Sequence, residues 1–452
     1  MSATSALPRQ VKALIVARAV NQLGGFSLAF LTVLLNRSFG ASLAMAGVVS
    51  ALFGLATIPS RLAGGRLADR WGRRRTIVAG LVGLAVAQLG LAAAPGLIAA
   101  MVCALLMGLA FELFEPPSQA TIADAVPPAG RASAFELLTT AVAAGSLAAG
   151  VIADVVGCWS LRWLFVVDAG TGLACAVIVW LVLAPDVVPR RDDQSSANST
   201  SAASLVGRAS PASPTTSASP ASATNPTSPV SPTSPAIVPL PAPSPWRDRA
   251  LLLVTASGTV FALVSMLMLT ALPLSLGAVG LNPANAGLIM AASTATLVLA
   301  RPVLRTRLAE LPHAATFAVG YLLMAAGFGG YALAHTLPTL LLPTALYSLG
   351  NLLVMGRSFA VVSELSPAEA SARYLAVYGS SWGVATLLAP LVATWLIGVS
   401  GPAALWTVSA LVCAVMAVAQ PWVVRRVRGL RDDLGVIHST KPMADRYDAV
   451  SI

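Results

Sequence analysis

Charge is scarce in this chain: Asp, Glu, Lys and Arg together make up 10% of its 452 residues, where an ordinary soluble domain carries about a quarter. With so little charge, 56% apolar residues and a mean hydropathy of +0.79, the sequence cannot clothe a water-soluble surface. That excludes soluble enzymes and soluble nucleic-acid binders, and the net charge of +10 needs another cause. Lysine is nearly missing. Only Lys12 and Lys441 are lysine among the 28 basic residues, a bias of the kind GC-rich bacterial coding produces. The four cysteines, Cys103, Cys158, Cys175 and Cys413, are spaced for neither a metal site nor a disulfide framework and read as small packing residues. No phosphate-cradling G-x-x-x-x-G-K-[ST] loop, metal-ligand cluster or nucleophile elbow occurs. The expectation is therefore a protein that is not an enzyme and holds no cofactor or metal. The beginning of the chain also lacks a short apolar core followed by a small-residue cleavage site, so its first apolar run reads as a retained helix.

What the sequence has instead is long apolar runs. Stretches of about 20 residues, the length that crosses a bilayer, fall near 11–36, 42–63, 76–94, 97–123, 133–156 and 161–184, then near 250–278, 285–304, 314–334, 338–363, 373–397 and 402–424. Six runs and six more predict an all-helical membrane protein. The basic residues sort by side: Arg9, Lys12, Arg61, Arg131, Arg190, Arg191, Arg208, Arg247, Arg249, Arg301, Arg305, Arg307 and Arg373 fall at or near one set of loops, and only Arg37 and Arg162 at the other. The positive-inside rule makes the first set cytoplasmic, with both termini on that side. Between Asp192 and Pro245 the composition turns to Ser, Pro, Thr and Ala, too poor in apolar residues to form a core. The expected organisation is a six-helix bundle over 1–190, a Ser/Pro-rich disordered cytoplasmic linker over 191–246, a second bundle over 247–430 and a cytoplasmic tail over 431–452.

The two halves repeat each other. Gly108 and Gly350, Glu115 and Arg357, and Arg131 and Arg373 each stand 242 positions apart, and Arg66-Leu67-Ala68-Asp69 returns as Arg307-Leu308-Ala309-Glu310 at an offset of 241. A same-direction duplication of six spans places a substrate site between the halves near the bilayer midplane.

The densest charge is in the thirteen residues Gly65-Arg66-Leu67-Ala68-Asp69-Arg70-Trp71-Gly72-Arg73-Arg74-Arg75-Thr76-Ile77, which join two apolar runs and carry five arginines and one aspartate. Such a stretch cannot enter hydrocarbon. Arginines alone would fix orientation, so the aspartate and the paired glycines ask for a second role; Gly65 and Gly72 would permit a tight turn and the close approach of a neighbouring helix. The pattern G-x-L-A-D-R-x-G-R-R-R resembles the loop between helices 2 and 3 of the major facilitator superfamily of secondary transporters. Ile122-Ala123-Asp124-Ala125-Val126-Pro127-Pro128 with Arg131, and Trp159-Ser160-Leu161-Arg162-Trp163-Leu164-Phe165, resemble junctions in its drug:proton antiporter branch. The antiporter branch differs in two places: it has an arginine where this chain has Ala104, and G-P-x-x-G-G where this chain has Gly145-Ser146-Leu147-Ala148-Ala149-Gly150.

The resemblance implies a fold of 12 transmembrane helices in two pseudo-symmetric bundles, with helices 1, 4, 7 and 10 around a central cavity. It implies a gating motif of Gly65, Asp69, Arg70, Gly72 and Arg73, in which Asp69 meets the start of helix 11 near Pro367 to Ser371 and Arg73 meets Asp124. An anion at a helix start is worth about 0.3–1 kcal/mol when exposed and up to about 2 when partly buried, a breakable latch.

Glu112 and Glu115 lie inside predicted helix 4, with Gln119 on the same face. Ionisable groups at that depth face a wet cavity or a partner, and desolvation disfavours the charged form of a carboxyl group, as a proton carrier requires. Pro116 and Pro117 remove two helical amide donors and should bend the helix beside them. The repeat also offers Arg357 as a static partner for Glu115. Arg18, Asn21 and Gln22 in helix 1 and Asn351, Arg357 and Ser358 in helix 10 complete the candidate proton and substrate residues. Met266, Met268 and Phe261 in helix 7, with Tyr378 and Trp382 in helix 11, suit an apolar ligand better than a sugar. Asp154 and Asp168 stand out without a role.

The expected function is efflux of a hydrophobic or amphipathic small molecule in exchange for protons by a monomer in a bacterial inner membrane, without nucleic-acid partners. Nutrient uptake by a symporter or facilitator is the alternative; a non-transporting sensor or a membrane-embedded enzyme ranks lower.

Overall fold

In the computed structural model, residues 7–183, 245–308, 312–366 and 371–432 are described. The predicted linker over 191–246 therefore lies almost wholly outside the described residues, as does the tail beyond Asp432. The described residues are helical nearly throughout. Among the described residues ten helices are long and apolar enough to cross a membrane, and one of these, Arg373–Val427, has 55 residues. At 1.5 Å per residue it would be more than twice the thickness of a bilayer core; it is divided at Gly401, whose φ of 79° and ψ of 173° are not helical. It thus supplies spans 11 and 12.

Span 1 consists of two helices, Arg9–Gln22 and Ser27–Phe39. Span 2 is Leu43–Trp71, span 3 Arg73–Ala93, span 5 Pro128–Gly157 and span 6 Leu161–Val182. Span 4 is split into Leu97–Phe111 and Glu115–Ala125. Spans 7 to 10 are Arg249–Ala278, Ala286–Leu308, His313–Leu333 and Leu337–Leu365. The twelve spans match the predicted runs, with three differences, one being the break in span 4 where a bend was expected. Span 1 is broken at its centre where one helix was expected. Span 2 continues as a helix through Asp69 and Arg70 to Trp71, so the basic turn shrinks to Gly72 alone.

Local chemistry sets the ends. Ser42 accepts the amide of Met45, and Asp248 accepts those of Ala250 and Leu251, orphan donors that a helix start must satisfy. Gly72 adopts φ 92° and ψ 159°, a backbone region essentially closed to residues with a Cβ. Leucines such as Leu62, Leu181, Leu299 and Leu333 are exposed on the outside of the assembly, as lipid-facing positions are.

The halves meet along two seams, span 2 on span 11 and span 5 on span 8. At the second, Gly150 and Gly287 each rest on the other's carbonyl, and a Cβ on Gly150 would lie 2.8 Å from the amide of Ala291. On the face opposite the basic turn, among the described residues, two hydrogen bonds link the halves: Arg37 to the carbonyl of Gly277 at 2.5 Å, and Asn285 to Asp154 at 2.8 Å. Contact between spans 1 and 7 also runs through Ser27–Phe39, the segment nearer that face. The two arginines that break the side bias thus have local tasks, since Arg162 donates to the carbonyls of Ala92 and Ala94 at the end of span 3 and lies 4.4 Å from the Phe39 ring.

Candidate functional site

Two broken helices face each other in the first half. Span 4 stops at Phe111 and restarts at Glu115, directly before Pro116 and Pro117, so the expected bend is a full interruption. Backbone groups freed inside a membrane must find partners in the protein. The amide of Glu112 donates to Ser60 Oγ of span 2 at 3.1 Å, and Gly64 packs against the carbonyl of Leu113. The close-approach glycine of this region is therefore Gly64; Gly65, expected in that role, has nothing within 4 Å of an added Cβ. In span 1 the helix ends at Gln22 and resumes at Ser27, and Gly24 lies against the backbone of Asp168 and the hydroxyl of Thr171.

The two interruptions enclose a cavity of about 270 Å³ lined by Arg18, Asn21, Gln22, Glu112, Glu115 and Asp168 among others. Arg18 pairs with Glu115 at 2.5 Å, with side chains 14% and 22% exposed, and its guanidinium lies 4.9 Å from the Phe114 ring centroid. Gln88 donates to Asp168 at 2.6 Å, both groups being buried. The Oδ1 atom of Asn21 is buried without a hydrogen-bond partner. Three carboxyl groups and one guanidinium thus share one cavity.

A second cavity, of about 250 Å³, lies between the halves among spans 1, 5, 7, 8 and 10. Ser146, Met268, Met290, Tyr347 and Asn351 are in its wall. Asn351 donates to the Tyr347 hydroxyl at 3.0 Å while its own Oδ1 is buried and unpartnered. Gln22 and Gly25, at the interruption of span 1, line both cavities. The same short segment is therefore a partition between the ion pair and the central pocket.

Several expectations need correction. Glu115 pairs with Arg18, so the static bridge to Arg357 that the repeat offered is not formed; Arg357 donates to Thr316 of span 9 at 3.4 Å. Phe261, Tyr378 and Trp382 belong to the packing of the second half, with Phe261 edge-on to Tyr321 and to Trp382. Met268 does line the central pocket, whereas Met266 approaches Thr386. Cys175 and Cys413 are buried as packing residues, but Cys158 is exposed.

At the basic turn, Arg73 pairs with Asp124 at 2.5 Å, joining the start of span 3 to the end of span 4 with side chains 41% and 61% exposed. Arg74 stacks on Trp180 of span 6 at 4.1 Å. Asp69 and Arg70 are exposed on the last turn of span 2. The segment expected to receive Asp69 lies at 367–370, outside the described residues. Sequence reasoning passed over Gln88, Ser60 and Gly64. A lone glutamine in an apolar run and the serine just before the basic turn were the available signals for the first two.

Residues 14–275 and 253–447 match the family profile described as Major Facilitator Superfamily. The Multidrug resistance protein MdtH of Shigella boydii is 34% identical over 126 residues, an alignment covering 26% of this chain and only 30% of that protein. The uncharacterized MFS-type transporter YhjO of Bacillus subtilis is 21% identical over 377 residues, 80% of each chain. Among solved structures, a POT family transporter in complex with 5-aminolevulinic acid superposes with a TM-score of 0.70 at 13% identity, covering 93% of this chain and 97% of the other. A peptide transporter POT in complex with sulfate gives 0.66 at 16% identity over 94% and 96%. At such identities these structures speak for the fold alone, and it is the match along both halves, joined to twelve spans about a central pocket, that decides the assignment: the chain belongs to the Major Facilitator Superfamily and is a multi-pass membrane transporter.

Proposed function

We propose that this transporter exports a hydrophobic or amphipathic small molecule in exchange for protons by alternating access. The observation that carries the proposal is the Arg18–Glu115 pair at the interruption of span 4, whose cavity shares Gln22 and Gly25 with the central pocket. Glu115 takes the proton. Neutralising it frees Arg18, the segment around Gln22 shifts, and the wall of the central pocket changes with it. Substrate in that pocket meets Met268, Met290 and Phe30 as adaptable apolar surface and the side chains of Asn351 and Ser293 as polar groups in the wall. Efflux is favoured over uptake by the likeness of one segment to proteins named for multidrug resistance.

The basic turn faces the cytoplasm of a bacterial cell, with both chain ends on that side and residues 191–246 as the link between bundles over 1–190 and 247–430. Arg37–Gly277 and Asp154–Asn285 then close the outer face, which makes the conformer described here the inward-facing one. Gly65, Asp69, Arg70, Gly72 and the Arg73–Asp124 pair form the latch of the opposite state, in which Asp69 engages the start of span 11. The working unit is a monomer.

The test is accumulation of lipophilic fluorescent dyes in cells with and without the protein, each with and without an uncoupler. Lower accumulation in expressing cells, abolished by the uncoupler, is the expected result. Higher uncoupler-sensitive accumulation would turn the proposal into uptake by symport, and no difference across a broad panel of dyes and peptides would remove proton-coupled transport of this class.

A further inference from the structure

The two hydrogen bonds that link the halves opposite the basic turn each set a charged side chain of the first half at the end of a helix of the second. Span 7 ends at Ala278 without a basic residue in its last turn. There the amides of Val279 and Leu281 donate to the carbonyls of Ser275 and Leu276, and Gly280, at φ 84°, turns the chain out of the helix. The carbonyl of Gly277 accepts instead from Arg37 of span 1 at 2.5 Å. A Cβ on Gly277 would lie 2.6 Å from the same nitrogen, so the guanidinium rests directly on that last turn. Span 8 begins at Ala286 without an acidic residue in its first turn. Asp154 of span 5 accepts from Asn285 Nδ2 at 2.8 Å, and a Cβ on Gly287 would lie 2.9 Å from the amide of Asp154. A cation thus faces the negative end of one helix and an anion the positive end of the next.

Both charges belong to the first half alone. At the offset of 242, Arg37 answers to Val279 and Asp154 to Leu396, so the repeat supplies no matching charges on the other side. The end of span 1 is fixed to its own bundle: Asn36 Nδ2 donates to the carbonyl of Ala41 at 2.8 Å, and Phe39 lies under the Arg162 guanidinium. When the halves part on this face, each charge must leave its helix end, and neither helix has a terminal charge of its own to replace it. Neither Arg37 nor Asp154 lines the central pocket or the ion-pair cavity.

We propose that Arg37 and Asp154 set the balance between the two conformers by acting as borrowed terminal charges for spans 7 and 8, which holds this face closed. The inference rests on alternating access as proposed above, and on neither the direction nor the coupling ion of transport. Loss of either charge shifts the population toward the state open on this face, and because the two contacts are made to different helices their effects multiply.

Double electron–electron resonance on the full-length protein in lipid nanodiscs tests this. Spin labels are placed at Ile98→Cys and Leu333→Cys, exposed positions of the two halves on this face, with the four native cysteines replaced by alanine. Arg37→Gln and Asp154→Asn should each raise the ratio of long to short label distances about threefold to tenfold, and the double variant by about the product. Asparagine at 154 keeps an oxygen that can accept from Asn285, so its effect isolates the charge. Arg37→Lys, which keeps the charge, should stay closer to the native distribution than Arg37→Gln. An unchanged distribution in the double variant, or a shift for Arg37→Lys as large as for Arg37→Gln, would overturn the proposal. Should one single variant fail to insert, the other decides by the same ratio. The measurement reads neither dye nor proton movement, so it can fail where the dye experiment succeeds, and the reverse.

Discussion

Replacing Glu115 by glutamine and Arg18 by glutamine, singly and together, probes the ion pair quantitatively. Removing one partner of a fully buried pair costs about 3–5 kcal/mol, because the other charge remains buried without compensation. Here the side chains retain 14% and 22% exposure and Glu112 and Asp168 border the same cavity, so Arg18 has other carboxyl groups within its reach. Both effects reduce the loss, and about 2–3 kcal/mol is expected for Glu115→Gln. For Arg18→Gln a loss of similar size is expected, since Glu115 is then left without its partner in a cavity that two other carboxyl groups border. The double variant should be less destabilised than the sum of the singles by about 2 kcal/mol, because neither charge is then stranded. Thermal unfolding in detergent or nanodiscs supplies the assay: each single variant should show a lowered midpoint and the double variant should recover much of the deficit. Strictly additive losses would mean that the two groups do not interact, and the cavity would lose its central element.

Three other perturbations follow from the backbone and the seams. Gly72→Ala places a Cβ at φ 92° and ψ 159°, and the protein should lose about 1–3 kcal/mol, read as a lowered unfolding midpoint, while Gly65→Ala, with open space around it, should lose far less. Gly150→Leu drives a side chain into the backbone of Gly287 and Ala291, so it should separate spans 5 and 8 and raise the labelling of cysteines placed beside that seam; unchanged labelling would show that the seam does not depend on close packing. Asp69→Asn should slow substrate turnover severalfold with little change in substrate affinity, and an unaltered turnover would remove the latch.

The span count was legible because a bilayer demands about 20 apolar residues per crossing, and every predicted run is occupied by helix. A bend at this point of span 4 was legible as well, since Pro116 and Pro117 each remove a donor at a known position; that it is a full interruption over 112–114 was not. The break in span 1 was not. Gly24 and Gly25 lie in an apolar stretch of ordinary length, and what opens the helix there is tertiary: the segment lies against Asp168 and Thr171 of span 6. The partner of Glu115 was missed for a related reason. The repeat relates Glu115 to Arg357 as equivalent positions, and equivalence under pseudo-symmetry is not proximity, whereas Arg18 reaches Glu115 because the two interruptions face each other. Asp168 was visible as an intramembrane charge and Gln88 as a lone polar residue in an apolar run, but nothing in the sequence pairs the two across 80 positions. The turn between spans 2 and 3 was anticipated over Gly65 to Ile77; its contraction to Gly72 was not, since the arginines and aspartate before it suit an exposed helix as well as a loop.

The central claim is that Glu115, at the interruption of span 4, carries the coupling proton. The direct measurement is the luminal pH of proteoliposomes, followed with an entrapped indicator after addition of a transported lipophilic dye, for the native protein and for correctly inserted Glu115→Gln. The native protein should move protons opposite to the dye, and the variant should bind dye without any pH change. Proton movement by the variant equal to that of the native protein would contradict the account.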